Sequence, residues 1–213
     1  RLCGGLAMIG EEKLIQLAVQ GERGRMWYTS ANKAIKDVAG KDQDTLARLI
    51  AVLSPQAPIR DNVAWALFAF RAWKRGQDCH NLPVGRFDTQ QQAVVYVLHG
   101  EEPRGPKVRS FYQNLRGNSE AVTIDSFMLM ALNEPAKISE KSYWLLADYI
   151  RYVAHDNEYK PCEFQAAIWT AYPRKRDTGG GDLATELYKQ SAFEQLDIWG
   201  SRGLRKESEI CTI

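Results

Sequence analysis

Apolar residues recur along most of the chain at three- and four-residue intervals, the period of a helix with one buried face. From Gln43 to Arg75 the pattern is nearly continuous. Leu46, Leu49, Ile50 and Leu53 form one stripe, SPQAP at 54–58 interrupts it, and Val63, Leu67, Phe70 and Trp73 form a second. Asp61 is placed to cap the second helix and Gly76 to end it. Residues 77–87 (QDCHNLPVGRF) read as a loop and 89–98 as a short helix. KVRSFYQNL follows, with Val108, Phe111 and Leu115 on one face and Gly117 at its close. AVTIDSFMLMAL passes from a few extended residues into a helix, and SEKSYWLLADYIRYVAHD aligns Tyr143, Leu146, Ala147 and Ile150. Ser139 is followed three positions on by Ser142 rather than by the Glu or Gln of a capping box, which leaves that helix start open. KPCEFQAAIWTAYP suits a helix with Pro161 in its first turn. RDTGGGDLA reads as a loop and LYKQSAFEQLDIW as a last amphipathic helix. Strand signals such as AVTI are short, do not alternate with helices, and no repeat of about 20–50 residues is present. The predicted fold class is all-α.

Composition narrows this little. The 213 residues suit a single domain, and 45% hydrophobic with 25% charged residues is ordinary for a globular chain. Charges break every apolar run well short of the ~18–20 residues of a membrane span, so no membrane partner is expected. The opening RLCGGLAMIGEEKLIQL lacks the features of a signal peptide. Cys3, Cys79, Cys162 and Cys211 lie too far apart for a metal-binding pair and read as free thiols in a reducing cytoplasm. His80, His99 and His155 are equally scattered and read as surface or loop residues, so neither metal nor cofactor is expected. The 28 basic and 26 acidic residues nearly cancel, but their distribution is uneven. Arg104, Lys107, Arg109 and Arg116 gather around one Gly/Pro turn and the helix after it, and Arg174, Lys175 and Arg176 form a second run. Each group is either a solvated face or an anion-binding surface.

Three positions carry candidate chemistry. Asp125 stands where an apolar extended segment turns into an apolar helix, a place for an N-cap and also for a carboxylate beside a pocket. Lys107, eighteen positions earlier at the start of its own helix, is a candidate amine nucleophile or phosphate contact. Ser54–Gln56 breaks two apolar helices and projects a long amide. The glycine cluster 179–181 follows no strand and carries no P-loop lysine.

Taken together, these segments resemble the helix-hairpin-helix (HhH-GPD) DNA glycosylase superfamily, in particular its endonuclease III-like branch. LIAVLSPQAPIRDNV is similar to the segment whose glutamine fills the hole left by a flipped base, which places Gln56 in that role. AVTIDSFM resembles the segment with the catalytic aspartate, which places Asp125 there. GPKVRSFYQNLRG resembles the second half of the hairpin motif and its following helix, with Lys107 as the lyase lysine and Gly105 as a hairpin glycine. The likeness covers about residues 45–130. The usual L-P-G-x-G has become EEPRG, Phe127 stands two after the aspartate where a histidine is usual, and the interval from Gln56 to Asp125 is short. A second alignment therefore makes GPKVRSF an earlier helix, deletes the hairpin and leaves Lys107 without a nucleophilic role. WY near the start, LSPQ, GPKVRSFYQNL, VTID and a late QAAIW also look like phage-associated or mobile-element members.

The resemblance implies a single two-lobed helical domain, with the N- and C-terminal helices forming the second lobe and the hairpin degenerate or missing. It implies a monomer acting on double-stranded DNA in base excision, in repair or phage defence. Phosphate contacts would come from Arg104, Gly105, Arg109 and Arg116, with 174–176 as a second clamp. A base pocket would draw on Trp27, Tyr28, Phe127, Gln165 and Trp169, although an aromatic residue is more readily core than pocket. A base- or nucleotide-modifying enzyme on the same fold and a DNA-binding module without chemistry remain the alternatives.

Overall fold

The computed structural model describes residues 9–171 and 182–193. The basic run 174–176, the glycines 179–181, Cys3, Cys211 and the end of the last expected helix lie outside them. All regular structure among the described residues is helical. Residues 121–125 run extended into a helix, as the pattern predicts, and pair with no strand.

The core divides into two apolar clusters. The first is organised by α3 (Gln43–Leu53), whose Leu46, Ala47, Leu49, Ile50, Ala51, Val52 and Leu53 are all buried. A helix apolar on nearly every side needs neighbours on nearly every side. It has them in α2 (Trp27–Ala39), α4 (Ile59–Lys74), α5 (Asp88–Leu98) and α6 (Pro106–Leu115). The expected stripe of α4 packs inward through Val63, Leu67 and Phe70, with Trp73 partly buried behind them. Gly76, at φ +68°, closes this helix as expected, its N–H and that of Gln77 returning to Trp73 and Ala72 carbonyls. Asp61, by contrast, is not the cap: Pro58 holds that position and Asp61 lies in the first turn. On α6 only Leu115 of the expected apolar face is fully buried. Tyr112 is also fully buried, because its hydroxyl can donate to Asp44 and accept from Arg48 inside the protein.

The second cluster joins α1 (Glu11–Gln20), α7 (Ser126–Ala131), α8 (Glu140–Asp156) and α9 (Pro161–Ala171). Tyr143, Leu146, Ala147 and Ile150 of α8 are buried as the spacing predicts. Ser139 does cap this helix, accepting from the Ser142 amide at 3.1 Å without a capping-box partner. The N-terminal α1 belongs to this second cluster, whereas the C-terminal helix, α10 (Leu183–Phe193), does not: Leu183, Ala184 and Leu187 pack on α2 and α4 in the first. The two clusters meet where α2 touches α9, around Tyr28, Cys162 and Ala166, with Trp27 and Phe111 packed against them. Among the described residues no helix is long and apolar enough to cross a membrane.

Two connections are held by polar side chains. The Ser54–Pro58 turn is tied to α5 by buried Gln90, which donates Nε2 to the Leu53 and Pro55 carbonyls and accepts the Arg86 amide. Gly85 makes this approach possible: its φ is +78°, and a Cβ there would stand 2.9 Å from the Gln90 Cβ. The link from α5 to α6 is held by Arg48, which donates to the Gly100 carbonyl at 2.6 Å and pairs with Asp44 at 2.9 Å. Replacing Gln90 by Ala leaves two carbonyls and one amide without partners, so Gln90→Ala is expected to cost about 1–3 kcal/mol. Urea unfolding measures that loss, and faster hydrogen exchange at Ala57 shows that the turn has loosened.

Candidate active site

The AVTID segment reaches the join between the clusters as extended chain because its backbone and side chains are bound on both sides. The Ile124 amide donates to the Tyr143 hydroxyl, which itself donates to the Val122 carbonyl. Thr123 donates to Asn114 Oδ1 at 2.7 Å, and Asn114 in turn donates to the Ala121 carbonyl. Asp125 ends the extended stretch, one residue before α7 begins. It is the N-cap: Oδ1 accepts the Met128 amide at 2.9 Å. Oδ2 accepts the Trp169 indole N–H at 3.0 Å from α9. Both oxygens are thus oriented by donors on different helices, and the carboxylate remains only partly buried.

It stands on the wall of a cleft of about 730 Å³ between the two clusters. Trp27, Tyr28, Gln56, Lys107, Asp125, Phe127, Gln165 and Trp169, eight residues singled out from the sequence, all line this cleft. They arrive from five places in the chain. Trp27 meets Tyr28, Trp169 and Phe111 with ring centroids 4.9, 5.8 and 6.2 Å apart, so the aromatic wall packs as one unit. Tyr28 donates to Gln165 Oε1 at 2.9 Å, and both side chains are buried. Burial pushes the Tyr28 hydroxyl far above its ordinary value, so it stays a neutral donor. Burial also pushes the nearby Cys162 thiol up to about 11. At neutral pH it is a packed thiol, not a nucleophile.

The rim is cationic and polar. Gln56 is exposed at φ +57°, a left-handed conformation that turns its side chain out of the stapled turn. Lys107 follows Pro106 in the first turn of α6 and makes no hydrogen bond or ion pair among the described residues. Gly105, at φ +82°, is the N-cap that lets the chain enter this helix. The other basic residues divide. Arg104 lies over the Tyr96 ring at 4.9 Å and lines a smaller adjoining cleft that shares Gln56. Arg109 is exposed on α6, and Arg116 is drawn back to Asp44 at 2.9 Å, away from the cleft. Arg86, which spacing did not single out, lines the main cleft beside Asn62, Phe111 and Thr123. No local pattern marks Arg86, Asn62 or Thr123 as site residues, and the helical period marks Phe111 only as part of an apolar face. Among the described residues no group of three or more His, Cys, Asp or Glu side chains is placed to hold a metal ion.

The family model described as a family of unknown function (DUF7178) matches residues 17–177. The chain belongs to the DUF7178 family. The matched span contains every residue lining the main cleft except Leu183. No curated protein and no solved structure matches the chain.

The dual role of the aspartate separates two substitutions. Asp125→Ala removes the cap and the acceptor for Trp169 and is expected to cost about 1–3 kcal/mol. Asp125→Asn keeps a capping oxygen and is expected to cost less than half as much. Thermal melts of the two variants test this, and a well-folded Asn variant is also the right control for activity.

Proposed function

We propose that this chain is a DNA glycosylase that extrudes a damaged or modified base into the cleft and cleaves its N-glycosidic bond. The observation that carries this reading is Asp125, a carboxylate with both oxygens oriented, on the wall of an aromatic-lined cleft with a cationic rim. The resemblance of its surrounding segment to the endonuclease III-like branch of the HhH-GPD superfamily supports the same reading. So does the division of the helical core into two clusters with the cleft between them. α5 and α6 pack on α3, joined by the short 99–105 connection, in keeping with a hairpin that is degenerate or missing.

In this mechanism the duplex cannot present the scissile bond until the nucleotide leaves the stack, at a cost of a few kcal/mol. Gln56, held outward on its turn, fills the vacated space. Cleavage builds positive charge on the sugar, and the Asp125 carboxylate stabilises it and orients or deprotonates the attacking water. The Met128 amide and the Trp169 indole hold that carboxylate in place through the reaction. If water is the nucleophile, Lys107 serves as a phosphate or leaving-group contact. If Lys107 attacks C1′ as a free amine, a Schiff base forms and the abasic strand is cut. Arg86, Arg104 and Arg109 supply phosphate contacts, which makes affinity salt-dependent.

A second reading rests on cleft size. About 730 Å³ lies within the ~300–1,000 Å³ range of pockets for whole small molecules, so the same fold accommodates an enzyme that alters a base or nucleotide rather than releasing it.

The test is incubation of wild type, Asp125→Asn and Lys107→Ala with duplexes carrying uracil, oxidised, alkylated and glycosylated bases, followed by alkali and by borohydride trapping. Base release that falls about 10²–10⁴-fold in Asp125→Asn is the expected result. A trapped adduct that vanishes in Lys107→Ala assigns lyase chemistry to that amine. Absence of release from every duplex overturns the glycosylase reading.

A further inference from the structure

The smaller cleft, of about 530 Å³, has two aromatic residues that the mechanism above does not use. Its floor is aliphatic: Val52, near the end of α3, and Val97, on α5, are both buried. On its wall two rings stay open to solvent, Phe87 at 42% and Tyr96 at 49% exposure. Local structure accounts for neither. Phe87 is the N-cap of α5 and supplies no capping acceptor, at a position where Ser, Thr, Asp or Asn would stabilise the helix. Tyr96 has the Arg104 guanidinium over its ring at 4.9 Å. A guanidinium stacked on a ring presents a flat face of its own and a fork of N–H donors at its edge.

Two stretches of chain border this cleft and the main one. Pro55 and Gln56 line both. In the other stretch Arg104 and Val108 line the smaller cleft, and Lys107, adjacent to Val108, lines the main one. The clefts therefore share walls, and cations stand along one of them.

We propose that the smaller cleft seats an unpaired nucleobase next to the extruded one on the same strand, so that the protein holds two consecutive nucleotides unstacked. A flat uncharged ring suits the aliphatic floor and the open aromatic wall. A phosphate does not, because Glu102 lines the same cleft as Arg104 and offsets its charge. The phosphate that links two consecutive nucleotides lies between their bases, and Arg104 and Lys107 stand at the border between the clefts. A partner base on the opposite strand has no linking phosphate to place there. Every base has a π face, so the seat is tolerant of sequence. The inference rests on the reading of the main cleft as the seat of an extruded base.

The experiment uses short single strands of tetrahydrofuran abasic units that carry one thymine, two adjacent thymines, or two thymines separated by several abasic units. The backbones are identical, so the phosphate contribution cancels in the comparison. Affinity is read by fluorescence anisotropy. Two adjacent thymines are expected to bind about 5–150-fold tighter than one, the range that stacking one base on an aromatic side chain supplies. Separated thymines are expected to gain only the statistical advantage of a second base. Tyr96→Ala and Phe87→Ala are each expected to lower the adjacent-to-single ratio at least about threefold, and Tyr96→Phe to keep it. A merely structural loss would weaken every strand alike and leave the ratio unchanged. A gain no larger for adjacent than for separated thymines, the result if the cleft took the partner base instead, overturns the inference. So does a gain that survives both alanine variants. The glycosylase reading is decided separately by base release: Asp125-dependent release without the adjacent gain leaves that reading standing, and the gain without release from any duplex leaves the two-base seat standing.

Discussion

The site depends on one carboxylate held between two helices. Asp125 caps α7 through the Met128 amide and accepts the Trp169 indole from α9, so the start of one helix and the last turn of another are tied through a single side chain. Hydrogen bonds to a charged group are worth about 1.5–3 kcal/mol each, enough to matter against the marginal stability of a domain. They also orient the carboxylate without covering it. A carboxylate free to rotate at the cleft wall would spend ordering entropy on meeting any ligand, whereas this one has spent it on folding.

The cleft exists because the core is split. One apolar cluster is built around α3, the other around α8 and α9, and they touch through α2 and α9 where Tyr28 packs on Ala166 and Cys162. Trp27, Phe111 and Trp169 stand at this join with one side packed and the other toward the cleft. The rim is set by two polar staples. Gln90 holds the turn that carries Gln56, and Arg48 holds the connection that leads to Lys107. Neither staple faces the cleft, yet each decides where a rim residue stands.

Much of this was legible in the sequence. The helical period placed α3, α5, α6 and α8 within a residue or two, because a buried stripe repeats along the chain itself, while the cap of α4, Pro58, stands three residues before the one expected at Asp61. The junction at Asp125 was legible for a similar local reason: an apolar extended run, an aspartate and an apolar helix are contiguous. Arg116 shows the limit. It sits in the same basic cluster as Lys107 and Arg109, but Asp44, on a helix far earlier in the chain, takes up its charge. Gln90 gave no signal either, because two of its three partners, the Leu53 and Pro55 carbonyls, become its neighbours only after α3 and α5 pack.

The sequence by itself determined the helical class, the limits of most helices between α3 and α9, and the residue types at the cleft, since these follow from periodicity, caps and breaks within short windows. Only the tertiary structure decided that Trp27, Gln56, Lys107, Asp125 and Gln165 share one space. Periodicity says which face of a helix is buried. It carries no record of which distant hydroxyl or carbonyl will meet that face, and those meetings orient the polar groups at the cleft.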